Sequence, residues 1–121
     1  MDRMAKIAKA AKKKVKVNEN TMNSKAKEKL NEVPGVICHK YHGSSFSQSG
    51  HSDLYGSING MAFYIEGKTG TKKPTELQKA FLEKARQENC IVGVYYTPDE
   101  AVRIVTEGYY AKLDEMYPKG E

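Results

Sequence analysis

The run LYGSINGMAFYIEG, Leu54 to Gly67, constrains the fold more than any other part of the chain. Asn59-Gly60 stands between two alternating apolar–polar segments. That dipeptide is the strongest short-range hairpin signal, because both residues tolerate the positive φ a two-residue type I′ turn requires. With that turn, Ile58 faces Met61, Ser57 faces Ala62, Gly56 faces Phe63 and Tyr55 faces Tyr64. Leu54 then faces Ile65, and Asp53 faces Glu66. One side of the ribbon collects Leu54, Gly56, Ile58, Met61, Phe63 and Ile65. The other collects Asp53, Tyr55, Ser57, Ala62, Tyr64 and Glu66, with Lys68 two residues on. A one-residue slip would mix the two sets, so the separation supports this register.

The flanking elements follow from periodicity and end signals. Met22, Ala26, Leu30 and Val33 recur at helical spacing after Asn18, and Pro34-Gly35 ends that helix. Val36 to His42 (VICHKYH) reads as a first strand, and Gly43 to Gly50 (GSSFSQSG) as a polar loop. Thr75 with Gln78 forms a capping box opening a helix whose expected apolar face is Leu77, Ala80, Phe81 and Ala85, ending near Asn89. Cys90 to Tyr96 reads as a buried strand. Thr97-Pro98-Asp99-Glu100 opens a last helix carrying Ala101, Val102, Ile104 and Val105. A separate short tyrosine-rich helix is expected beyond Gly108. The predicted class is α/β, in the order α-β-β-β-α-β-α. Three strands form an antiparallel meander and the fourth, after a helical crossover, joins in parallel, giving a four-stranded mixed sheet flanked by helices.

At 121 residues the chain has the length of one domain. Its charge divides it: residues 1–17 carry seven basic side chains against Asp2, while the net charge of the whole chain is +5. The expected organisation is a basic N-terminal arm, 1–17, on a nearly neutral domain, 18–121. Such an arm fits nucleic acid, where each lysine–phosphate contact releases a counterion; a solvated Ala/Lys helix has the same composition. No apolar run approaches the ~18 residues of a membrane span, and the start lacks the apolar middle of a secretory signal. Cys38 and Cys90 both sit in apolar runs, as expected of buried free thiols in a reducing, cytoplasmic compartment. Cys38 with His39 or His42 is an alternative metal set, without a second pair at zinc spacing.

The chemistry concentrates at the open end of the hairpin. Two carboxylates directly across a ladder lie about 5 Å apart at Cβ. At an effective dielectric of about 20 they repel by on the order of 3 kcal/mol. A divalent cation between them would offset this, and hard oxygen ligands suit Mg2+ or Mn2+. Protonation of one carboxyl, or contact with a lysine, would also serve. Lys68 shares the face of the pair. It is placed to hold a water or stabilise charge on a phosphoryl group, or simply to neutralise Glu66.

The stretches SGHSDLYG, FYIEGKTG and KPTELQKAFLEKARQENCIVGVYYTPDEA together resemble the PD-(D/E)xK nuclease core, and more closely the viral-type replication–repair nuclease (VRR-NUC) domain. The resemblance runs from about Glu19 to Val105. It is carried by the combined spacing of Ser49-Gly50, Asp53, Glu66-Gly67-Lys68, Pro74-Thr75 and Leu77-Gln78. It implies a divalent-metal-dependent DNA phosphodiesterase in which Asp53 and Glu66 ligate Mg2+ or Mn2+, with the Gly67 carbonyl as third ligand. Lys68 would orient or activate the attacking water, and Gln78 would stand beside the site. The family also carries an acid on its first helix, which Glu19 matches. The sequence departs from the pattern at Ser52, where proline is usual before the aspartate, and at Gly67, where a β-branched residue is common.

The resemblance further implies a homodimer of phage or bacterial type that cuts branched DNA such as Holliday junctions. Ser44, Ser45, Ser47 and Gln48 in the polar loop, and Lys72 and Lys73 after Lys68, are then candidate phosphate contacts. His51 is a candidate for DNA contact or proton transfer, and equally a loop-end histidine. The contrasting expectation is a non-catalytic DNA-binding or scaffolding module on the same fold. Retention of Asp53, Glu66 and Lys68 favours the enzyme.

Overall fold

The computed structural model describes residues 18–43, 50–118 and 120. The basic arm and the loop residues Ser44, Ser45, Ser47 and Gln48 lie outside them. The elements are α1 (Glu19–Glu32), β1 (Val36–Lys40), β2 (Leu54–Ile58), β3 (Met61–Gly67), α2 (Glu76–Gln87), β4 (Ile91–Tyr95) and α3 (Pro98–Met116).

The hairpin has the predicted register, from Ile58 opposite Met61 to Leu54 opposite Ile65. Asn59 and Gly60 both take positive φ, 49° and 84°, as the tight turn demands. β1 pairs antiparallel with β2, and β4 pairs parallel with β3, so the sheet is mixed with order β1-β2-β3-β4. The carboxyl ends of β1, β3 and β4 and the start of β2 therefore meet at one end of the sheet.

α1 and α3 pack together on one face. Met22, Ala26 and Leu30 of α1 and Ala101 and Val105 of α3 are buried with Leu54, Phe63, Ile65 and Ile91 in one core. α2 covers part of the other face, where its Phe81 meets Tyr64 edge-on at 5.4 Å between ring centroids. Each helix start is fixed locally. Asn18 Oδ1 accepts from Thr21 N at 2.8 Å, Thr75 and Gln78 form the predicted capping box, and Thr97 Oγ1 accepts from Glu100 N at 3.1 Å. The first of these caps sets Glu19 in the opening turn of α1, at the carboxyl end of the sheet.

Two expectations are corrected. The face α2 buries is Leu82 and Ala85, with Phe81 half-buried, while Leu77 is 61% exposed and Ala80 is exposed. The sheet meets the stripe at positions 78, 81, 82 and 85, which the apolar Leu77 does not share. Nor does Gly108 divide the last helix: α3 continues unbroken to Met116. A Cβ at Gly108 would come within 2.7 Å of Ile91 Cγ2, so the glycine is a close approach of helix to strand rather than a stop.

β1 is an edge strand, and Asn31 covers it. Its Nδ2 donates to Cys38 O at 3.1 Å and its Oδ1 accepts from Cys38 N at 2.9 Å, imitating a further strand residue. Asn31→Ala removes both bonds at a place water reaches. It should destabilise the fold by about 1–2 kcal/mol, read as a lower urea midpoint at unchanged m-value; an unshifted midpoint would show that this edge needs no cover.

Candidate metal centre

Four charged side chains from separate elements converge at the carboxyl end of the sheet. Glu19 comes from the first turn of α1, Asp53 from the bend before β2, Glu66 from the end of β3, and Lys68 from just beyond it. One carboxylate oxygen from each of Glu19, Asp53 and Glu66 lies within 4.8 Å of the others, a group that could hold a metal ion. Among the described residues, Cys38, His39 and His42 form no such group. Cys38 is buried, which pushes its thiol up to about 12, and Cys90 is half-buried; both are free.

Glu66 is the most constrained member. It is fully buried, and neither carboxylate oxygen has a hydrogen-bond partner. Burial, and then the adjacent Asp53 carboxylate, push its pKa up to about 10, against the opposing pull of Lys68. The lysine does not neutralise it directly: Lys68 Nζ pairs with Glu19 Oε1, at 4.0 Å. Of the three ways to offset the acid pair, a proton or a cation on Glu66 remains.

Asp53 is held from both ends. Its Oδ2 accepts from Gly67 N at 2.9 Å, and its carbonyl accepts from Tyr41 N at 2.8 Å. The preceding Ser52 is fully buried and donates from Oγ to Leu54 O at 3.0 Å, a turn-forming bond in place of the proline of the resembled motif. Lys68 is 8% exposed, and its backbone N donates to Tyr95 O at 3.0 Å, continuing the parallel pairing one residue past β3.

Gly67 has neighbours that sequence reasoning missed. A Cβ there would overlap Asn23 Oδ1 and come within 2.9 Å of the Tyr95 ring. Tyr95 Oη donates to Asn23 Oδ1 at 2.6 Å, and both residues are buried. Burial, followed by the charges of Asp53 and Glu66, pushes the Tyr95 hydroxyl up, so it remains a donor. One sequence signal pointed to Asn23: it is a polar residue on the inward stripe of α1, one turn after Glu19. Nothing local marked Tyr95, which is distant in sequence.

The other candidates stand outside the carboxylate group. The Gln78 Oε1 accepts from Thr75 N at 2.9 Å, so its amide oxygen serves the cap. His51 is half-buried among aromatic rings, stacked on Tyr41 at 3.9 Å and 4.7 Å from Phe81. Lys72 and Lys73 are exposed on the loop after β3, where Lys72 O accepts from Tyr96 Oη at 2.8 Å.

No protein-family model and no curated protein matches the chain. Among the described residues, no helix is long and apolar enough to cross a membrane.

Glu66 gives the ion-free protein a signed pH dependence. Between the ordinary value of 4.5 and about 10, the folded chain keeps this proton while the unfolded chain has released it. Folding then binds more protons, so stability is full below the ordinary value and is lost as pH rises toward the folded one. Without metal, the wild type should lose stability more steeply with rising pH than Glu66→Gln within that window, measured by chemical denaturation in chelator. Parallel stability profiles for the two proteins would show that Glu66 is not held protonated.

Proposed function

We propose that the chain is a divalent-metal-dependent DNA endonuclease with a PD-(D/E)xK core of the VRR-NUC type, using Mg2+ or Mn2+. The observation that carries this reading is the partnerless buried Glu66 carboxyl, within 4.8 Å of carboxylate oxygens of Asp53 and Glu19. Buried polar oxygens are rarely left unsatisfied, and an ionised pair in such a place needs a counter-charge. A set of hard carboxylate oxygens suits a small divalent cation. The mixed sheet and the resembled motif point the same way, since both acids and Lys68 stand where that motif carries its site.

Glu19, Asp53 and Glu66 would hold the ion, which supplies polarisation of a phosphoryl oxygen and ionisation of a water when bound. The protein's own residues do the positioning. Lys68 brings an ammonium group into a nearly dry site, where a charge acts more strongly than in water. Glu19 restrains that ammonium from one side. In this place Lys68 orients the attacking water and stabilises charge gathering on the phosphoryl oxygens. The Gly67 N–H orients Asp53, leaving its other oxygen available.

The DNA would approach across the end of the sheet. Lys72 and Lys73 are exposed on the loop after β3, while the other proposed phosphate contacts, Ser44, Ser45, Ser47 and Gln48, lie outside the described residues. The basic arm adds sequence-independent affinity for phosphate. Branched DNA such as a Holliday junction is the proposed substrate, and a two-fold homodimer would present two such sites to two strands. The cytoplasm is the proposed compartment.

The test is cleavage of four-way junctions and flaps with Mg2+ or Mn2+. Asp53→Ala and Lys68→Ala should each slow cutting by at least about 100-fold, and chelation should abolish it. Cutting without metal, or unchanged cutting by both variants, would reject the assigned site. Binding without cutting under either metal would favour a non-catalytic DNA-binding module.

A further inference from the structure

The wall behind Gly67 belongs to no step derived above. It is built from Asn23 on α1 and Tyr95 on β4, joined by a 2.6 Å hydrogen bond. Each residue is at most 4% exposed. The wall stands where a side chain at position 67 would otherwise go.

Gly67 is the only residue that fits here, and its peptide N–H donates to Asp53 Oδ2 at 2.9 Å. The position of that donor sets the direction of the Asp53 carboxylate. Gly67 is confined on its Cβ side, where the Asn23 amide and the Tyr95 ring close off the space. A displacement of the wall would therefore be transmitted through one peptide unit to one of the three clustered acids. Asn23 also lies one helical turn after Glu19, so the same stripe of α1 carries a second of them.

We propose that Asn23 and Tyr95 are positioning residues that set which divalent cation the Glu19–Asp53–Glu66 group prefers, by fixing Gly67 and through it Asp53. The inference rests on the metal reading of that group. Mg2+ and Mn2+ need short, nearly fixed oxygen distances, whereas Ca2+ accepts longer and more variable ones. Loosening a single ligand should therefore weaken the small ions and spare the large one. Outer-shell partners of metal ligands commonly change affinity by about 10- to 100-fold when removed.

Titration calorimetry with Mn2+ alone and Ca2+ alone reads this without DNA or turnover. Tyr95→Phe removes only the hydroxyl and keeps the ring. It should weaken Mn2+ about tenfold and leave Ca2+ within about twofold, so the preference for Mn2+ narrows. Asn23→Ala should do the same. Unfolding midpoints measured beside each titration separate general destabilisation, which would weaken both ions together. An unchanged Mn2+ to Ca2+ ratio in Tyr95→Phe and in Asn23→Ala would overturn the proposal. So would equal loss of both ions. A wild-type protein that binds neither ion would instead overturn the metal reading itself.

Discussion

A carboxyl group at the end of β3, buried and without a hydrogen-bond partner, is the constraint around which this small domain is organised. Such a group is expensive in either form. Ionised, it lacks solvent and a direct counter-charge and faces the Asp53 carboxylate; neutrality relieves this only by holding a proton against Asp53. Folds of this size have only a few kcal/mol to spare. Three elements nevertheless bring a second and a third acid to the same place rather than dispersing them. A cluster that opposes stability yet is built by the whole topology is the pattern expected of a functional site.

The topology explains how distant residues meet there. Parallel pairing of β4 with β3 sets their carboxyl ends side by side, so Tyr95 lies next to Gly67. The hairpin brings the start of β2 to the same end, so Asp53 can reach the Gly67 N–H. The asparagine cap fixes where α1 begins, which delivers Glu19. No acid of the group is carried by another acid's element. Their separation is set by sheet register and helix packing, which resist small displacements because the interior is close-packed.

How much of this was legible in the sequence depended on range. The hairpin register could be read because Asn59-Gly60 and strict alternation are local and mutually reinforcing. From it, the meeting of Asp53 with Glu66 followed without any tertiary information. Glu19 was reached only through the resemblance and its place on an apolar stripe. The isolation of Glu66 was not legible: a Lys68–Glu66 contact was one of the alternatives the sequence left open, and Lys68 pairs instead with Glu19, a choice made by how α1 is seated. The stripe of α2 was misread at Leu77, because local hydrophobicity competed with a face that the sheet selects. Gly67 looked like a weakened version of the motif. Its reason lies in Asn23 and Tyr95, one on a helix and one on a strand far along the chain.

The charges also decide what can approach the site. Glu19, Asp53 and Glu66 together outnumber Lys68, so with all of them ionised the group would repel a phosphate. The proton held by Glu66 reduces that excess without removing it. A divalent cation entering in exchange for that proton would cancel the remainder, and its own charge would then dominate the local field. On the proposed reading, ion and anionic substrate would be coupled: the first would convert a repelling end of the sheet into an accepting one, before Lys72 and Lys73 could contribute. That exchange would also make ion affinity rise with pH until Glu66 is ionised, so a carboxyl that weakens the empty fold would be the same group that tightens the filled one.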